Sequence, residues 1–274
     1  MTLIMNVATR FPESNAMPTK TLITGASTGI GATYADRFAR RGHDLVLVAR
    51  DTARMDALAT RLRADTGVAI DILPADLTEA ADIARVEARL REDADIGILV
   101  NNAGAGLLGS FAEQDSADLA RLITLNVTSL TQLANAAASR FAREGRGSII
   151  NIASVVGLMP EFGMTVYGAT KAFVIFLSQA LAHELGPRGV YVQGVLPSGT
   201  RTEIWERSGV DPANLPPMMD VNDLVDAALQ GFDRHEAITI PALPEAALWD
   251  AYQSARQDML PGFGNTLPAE RYRG

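Results

Sequence analysis

Tyr167 and Lys171 stand four residues apart in a stretch of helical periodicity, so both side chains project from one helix face. A free phenol has a pKa of about 10, too high for a base near neutrality. An adjacent ammonium favours phenolate and can lower that value by roughly one to three units. The spacing therefore predicts a phenol prepared to exchange a proton. An ammonium also carries three rotatable donors, which reach ribose hydroxyls better than a rigid guanidinium fork does. Lysine is an informative choice here. Of 24 basic residues, only Lys20 and Lys171 are lysine.

A second constellation lies near the N-terminus. Gly25, Gly29 and Gly31 form Gly-x3-Gly-x-Gly directly after the apolar run Thr21–Thr24. One glycine permits a tight turn, one lets backbone approach a diphosphate, and one lets helix pack on strand. Ser27, Thr28 and Ile30 complete the turn and open a helix whose bare N–H groups favour phosphate. Glycine-rich turns also occur as plain structure; the position at a strand-to-helix junction favours the nucleotide reading.

The elements that must hold these groups alternate. Apolar runs at Leu45–Ala49, Ala69–Pro74, Ile98–Val100, Ser148–Ile152, Val190–Leu196 and Ala237–Ile240 read as strands. Helical patterns fall between them at Ile30–Arg41, Thr52–Asp65, Glu79–Arg91, Ser116–Arg143 and Val166–Leu185, with another at Asn222–Phe232. Strands apolar on both faces imply a parallel sheet covered on both sides. Right-handed crossovers make that a three-layer α/β/α sandwich with a doubly wound sheet. We expect one domain over residues 19–250, with a disordered extension at 1–18, a lid at about 200–220 and a tail at 251–274.

The ordered set of motifs resembles the short-chain dehydrogenase/reductase family. Its carriers are Thr24-Gly25-x3-Gly29-Ile30-Gly31, Asp76-Leu77, Asn101-Asn102-Ala103-Gly104, Leu125-Asn126-Val127, Ser154, and Tyr167-x3-Lys171. The resemblance runs from about Lys20 to Ile240 and implies a Rossmann-type fold, a nicotinamide cofactor and alcohol–carbonyl interconversion. It implies catalytic roles for Asn126, Ser154, Tyr167 and Lys171. Asn126 would hold a water linking Lys171 to a proton relay, and Ser154 would hydrogen-bond the substrate oxygen. It further implies cofactor contacts from Asp76, Leu77, Asn102, Ala103 and Gly104, and from Pro197, Thr200 and Thr202 after strand six. One departure stands out: the family's usual Pro-Gly is here Pro197-Ser198-Gly199.

Cofactor choice turns on the end of strand two, where an acid would bind a ribose 2′-hydroxyl and repel a 2′-phosphate. Ala49 occupies that place and Arg50 follows, able to pair a phosphate. NADP(H) is therefore favoured over NAD(H), with Arg54 one helical turn on. Asp51 is the counter-reading, an acid one position late. Apolar residues Val156, Met159, Phe162 and Trp205 are the candidate substrate walls, suited to a fairly apolar carbonyl compound or its alcohol.

Composition excludes other classes. Hydrophobic residues at 47% and charged residues at 20% are globular, not disordered or collagenous. The net charge of −8, without a basic run, gives no footprint for nucleic acid. With no cysteine and three isolated histidines, no metal site is expected. No apolar stretch looks long enough for a membrane span, and no signal peptide is evident, so a cytoplasmic protein is expected. The helix at Val166–Leu185 is apolar around most of its circumference and predicts at least a dimer; the resemblance implies that it pairs with the Ser116–Arg143 helix in a homodimer or homotetramer interface. A cofactor-sensing protein on the same fold is the alternative function. The intact Asn126, Ser154, Tyr167 and Lys171 set argues for an enzyme.

Overall fold

The computed structural model describes residues 20–203 and 217–273. The expected N-terminal extension, Trp205 and most of the expected lid lie outside the described residues.

Seven parallel strands form one sheet in the order β3-β2-β1-β4-β5-β6-β7. They are β1 (Lys20–Thr24), β2 (Leu45–Ala49), β3 (Ile70–Pro74), β4 (Ile96–Asn101), β5 (Ser148–Ile152), β6 (Tyr191–Val195) and β7 (Ile238–Thr239). Alternation with period two divides the core. Ile23, Leu45 and Leu47 face one helical layer, with Tyr34 and Phe38; Leu22, Val46 and Val48 face the other, with Leu90 and Phe141. Helices α1 (Gly29–Arg40) and α7 (Val221–Asp233) pack together, as do α3 (Ala80–Glu92) and α5 (Leu130–Glu144). The expected three-layer doubly wound architecture is present.

The strand order reverses between β1 and β4. Neighbouring chains leave that point in opposite directions and open a crevice at the strands' carboxyl ends, the place where such sheets take ligands.

Helix α2 (Thr52–Thr66) starts at Asp51, whose carboxylate accepts from Arg54 N at 3.0 Å, and ends at Gly67 with φ +76°. The helix expected over Ser116–Arg143 is interrupted. It runs as α4 (Ser116–Ile123), a π-helical segment (Thr124–Ser129) and α5. Such wide turns are rare and gather at functional sites.

Helix α6 (Thr165–Leu185) corrects another expectation. With the turn that follows, it spans 24 residues and contains an 18-residue window with a mean hydropathy of 1.2, so by length and composition alone it could cross a membrane. Here it packs along β6, with Val174, Ile175 and Ser178 buried.

The contacts divide the chain into two compact units, one ending at Pro241 and one starting at Ala242. The boundary expected at residue 250 falls inside helix α8 (Ala246–Gln257) of the second unit. In that unit Trp249 stacks on Tyr252 with ring centroids 5.4 Å apart, and two short 3₁₀ turns follow.

Candidate active site

The glycine turn is locked to the turn after β4. Thr24 Oγ1 accepts from the backbone N–H of Asn102 and of Ala103, each at 3.0 Å. Asn102 Nδ2 donates to the carbonyls of Thr24 at 2.9 Å and Gly25 at 3.2 Å. Gly25 has φ +65°, and a Cβ there would stand 2.8 Å from Asn102 Nδ2. A Cβ on Gly31 would overlap the Gly25 carbonyl oxygen. Both positions therefore exclude a side chain, so the two turns can nest at the point where the strand order reverses.

Above them opens a cleft of about 1490 Å³. Gly25, Ser27, Thr28, Gly29 and Ile30 line it, with Arg50, Asp76 and Leu77 at one end. Asn102, Ala103, Gly104, Pro197, Thr200 and Thr202 continue the wall to Ser154, Tyr167 and Lys171. Of the residues assigned to the nucleotide, only Gly31 is absent from the lining; it packs beneath the turn. The volume, bare helix N-terminus and side-chain-free turn fit a dinucleotide.

Ser154 and Lys171 are buried, and Tyr167 is half-buried beside them. Lys171 Nζ donates to the Ile152 carbonyl at 2.8 Å and stands 5.7 Å from the Tyr167 ring centroid. Burial lowers the Lys171 ammonium to about 8. The Tyr167 phenol was expected to be lowered by its lysine. It is raised instead: burial pushes it up, and a hydrogen bond with the Ser154 side chain opposes that. The reason is geometric. The ammonium is engaged at the Ile152 carbonyl, and removal from water outweighs its attraction for phenolate. Ser154 Oγ also accepts from Val156 N at 3.2 Å and lies 3.4 Å from the Pro197 carbonyl.

Asn126 sits in the π segment. Its Oδ1 accepts from Ala105 N at 3.0 Å; its Nδ2 donates to Ala105 O at 3.0 Å and to Thr170 Oγ1 at 3.1 Å. The side chain thus ties the loop after β4 to α6, one residue before Lys171. A Cβ on Gly104 would lie 3.3 Å from Asn126 Oδ1 and 3.6 Å from Lys171 Nζ, so both groups approach that glycine.

At the far end, Arg50 is largely exposed and its Nη1 lies 3.5 Å from Asp76 Oδ2. Burial raises the Asp76 carboxyl, but Thr78 and Arg50 hold it below its ordinary range. Asp51 caps α2 and pairs with Arg54 Nε at 3.3 Å. Arg54 Nη1 donates to Glu203 at 2.5 Å.

Among the candidate substrate residues, Val156 and Phe162 line the cleft, while Met159 is half exposed and outside the lining. Ala105, Leu108, Leu125, Met164, Met218 and Met219 extend the wall. Most of these carried no motif, and Met218 and Met219 come from a segment remote in sequence. The displaced Gly199 closes a bridge: its carbonyl accepts from Met219 N at 3.0 Å, and Arg201 N donates to Met219 O at 3.0 Å. Ser198 does not take the left-handed conformation that would call for glycine, so serine at this place costs the path nothing visible.

The cleft over the glycine turn and the Tyr167 phenol share the carboxyl rim of one doubly wound sheet, the arrangement of a dehydrogenase. The chain belongs to the short-chain dehydrogenase family, whose model matches residues 19–212. Among solved structures, a short-chain dehydrogenase from Sphingobium yanoikuyae in complex with NADPH is 62% identical, with a TM-score of 0.91 over 93% of this chain and 100% of that one. A bulky-bulky ketone specific alcohol dehydrogenase from Comamonas testosteroni is 58% identical, with a TM-score of 0.87 over 93% and 98%. Very-long-chain 3-oxoacyl-CoA reductase-A of Danio rerio is 33% identical over 67% of this chain and 58% of its own length. The chain thus spans a little over half the length of that curated relative.

Proposed function

We propose that the protein is an NADP(H)-dependent oxidoreductase that interconverts a ketone or aldehyde, fairly apolar in character, and its alcohol. One observation carries this reading. The Tyr167 phenol hydrogen-bonds the Ser154 side chain in the wall of a cleft whose other end bears Arg50 and no carboxylate at Ala49. The NADPH complex of the Sphingobium relative and the ketone specificity of the Comamonas relative support it.

A nicotinamide nucleotide held in this cleft would supply or accept the hydride. The chain must supply a proton and an orientation. Ser154 hydrogen-bonds the substrate oxygen and fixes its distance from Tyr167. In reduction Tyr167 gives its proton to that oxygen; in oxidation it takes the proton back. Lys171, a cation at neutral pH with a value of about 8, stabilises the tyrosinate left behind. Asn126 and Lys171 hold the water that returns the proton. Leu108, Leu125, Val156, Phe162 and Met164 give the substrate end its apolar walls.

A panel of carbonyl compounds, from small aldehydes to ketones flanked by two large groups, tests the reading through loss of NADPH absorbance. Reduction of the ketones is the expected result. Cofactor binding without turnover of any compound would favour the sensor alternative.

We also infer a homodimer or homotetramer built on α4 and α6, which pack together and expose Ile123, Phe173 and Phe176. Phe176 is 74% exposed, a large apolar surface for a lone subunit. Light scattering at micromolar concentration should show at least a dimer; a monomer would refute this.

A further inference from the structure

The run from Leu196 to Glu203 takes an unusual path. It leaves β6, yet Glu203 meets Arg54 in the first turn of α2, beyond β2. Three strands, β5, β4 and β1, lie between β6 and β2 in the sheet. At ~4.8 Å per strand that is about 19 Å, within reach of eight residues at ~3.3 Å each. The contacts trace the crossing. The Pro197 carbonyl accepts from Val155 N, just past β5, at 3.0 Å. Thr202 then stands against the glycine turn after β1: a Cβ on Gly29 would lie 3.3 Å from Thr202 Cβ and Cγ2. Glu203 completes the span at 2.5 Å from Arg54 Nη1. The segment is a strap laid over the rim of the cleft.

We propose that Arg54 and Glu203 are positioning residues that fasten this strap, holding Thr202 over the turn at Gly29 and so retaining the nucleotide's diphosphate. The inference rests on the reading of the cleft as a nicotinamide nucleotide site. It assigns Arg54 a role different from binding a 2′-phosphate. Its guanidinium already faces two carboxylates, Glu203 and Asp51, and it stands outside the cleft lining, whereas Arg50 lines the cleft beside Asp76. A fastening that acts on the diphosphate must act on both cofactors, because NADPH and NADH share that group. A phosphate ligand would act on NADPH alone.

The side chains of Arg54 and Glu203 are 48% and 42% exposed, so the effect is modest. Pairs of this kind change an equilibrium by about two- to five-fold, and salt weakens them. The test is the dissociation rate of NADPH and NADH, followed by nicotinamide fluorescence in stopped flow. Arg54→Gln and Glu203→Gln should each release both cofactors about two- to five-fold faster at low salt, with the difference narrowing as salt is added. The exchange Arg54→Glu with Glu203→Arg should restore the wild-type rate for NADH, chosen because it has no 2′-phosphate for Glu at position 54 to repel. The fastening is overturned if Arg54→Gln affects NADPH only, if Glu203→Gln leaves both rates unchanged, or if the exchange fails to restore retention of NADH. Wild-type protein that binds neither cofactor would instead overturn the nucleotide reading on which the proposal rests.

Discussion

Tyr167→Phe is expected to lower turnover by about 10²-fold or more while leaving NADPH affinity nearly unchanged. The substitution keeps the ring, its burial and its place 5.7 Å from Lys171 Nζ. It removes one hydroxyl, and with it the hydrogen bond to Ser154 and the proton itself. No neighbour can replace that proton. Ser154 is a far weaker acid, and Lys171 is held at the Ile152 carbonyl at 2.8 Å. Single-turnover reduction with NADPH in excess reads the chemical step, and fluorescence titration reads binding. A variant that still reduces carbonyls at the wild-type rate would mean that the proton comes from elsewhere. A variant that loses NADPH would mean that Tyr167 holds the cofactor more than it serves the substrate.

Arg50→Ala is expected to weaken NADPH binding by roughly 10- to 100-fold and barely alter NADH, the loss of one charge-assisted pair of about 1.5–3 kcal/mol. The structure strengthens the expectation in two ways. Asp51, the other candidate at this end of the cleft, caps α2 through Arg54 N at 3.0 Å and is thereby occupied. Arg50 is open to an incoming anion: its side chain is 72% exposed, and its ion pair with Asp76 spans 3.5 Å. Adding Ala49→Asp to Arg50→Ala should invert the preference, because a carboxylate at the strand end accepts from a 2′-hydroxyl and repels a phosphate. Dissociation constants for both cofactors decide the matter. Equal weakening of NADPH and NADH would make Arg50 a surface charge and return attention to Asp51.

Much of the fold was legible because it rests on local patterns. Leu45–Ala49 and Ser148–Ile152 are strands with the bounds read from their apolar runs. Gly25, Gly29 and Gly31 announced the turn because packing admits no side chain at Gly25 or Gly31 and Gly29 takes φ +52°. What escaped depends on three-dimensional approach. The π segment at Thr124–Ser129 is set by contacts of Asn126 with Ala105 and Thr170, and periodicity over Ser116–Arg143 could not show it. The raised phenol of Tyr167 reflects burial, which outweighs the four-residue spacing to Lys171. Met159 was read as a wall residue from its apolar type, but it is half exposed and stands outside the cleft lining. Helix α8 was missed because it buries none of its residues and lies between Pro244 and the proline- and glycine-rich stretch Leu260–Pro268. Glu203 had no motif at all. Its meaning arises only when the chain crosses three strands to reach Arg54.

The π segment carries a consequence for engineering. Six residues at the wider turn displace every later side chain of the helix from the phase an uninterrupted α-helix would give it, and Asn126 lies within that shift. A thermostability screen that rewards regular helix geometry would favour variants that tighten the segment, by deletion of one residue or by stronger helix formers. Such variants would release Asn126 from Ala105 and Thr170 and loosen the link between the loop after β4 and the helix bearing Lys171. Stability and turnover are thus set against each other within this segment. Libraries meant to harden the protein should hold Thr124 to Ser129 constant and seek their gains elsewhere.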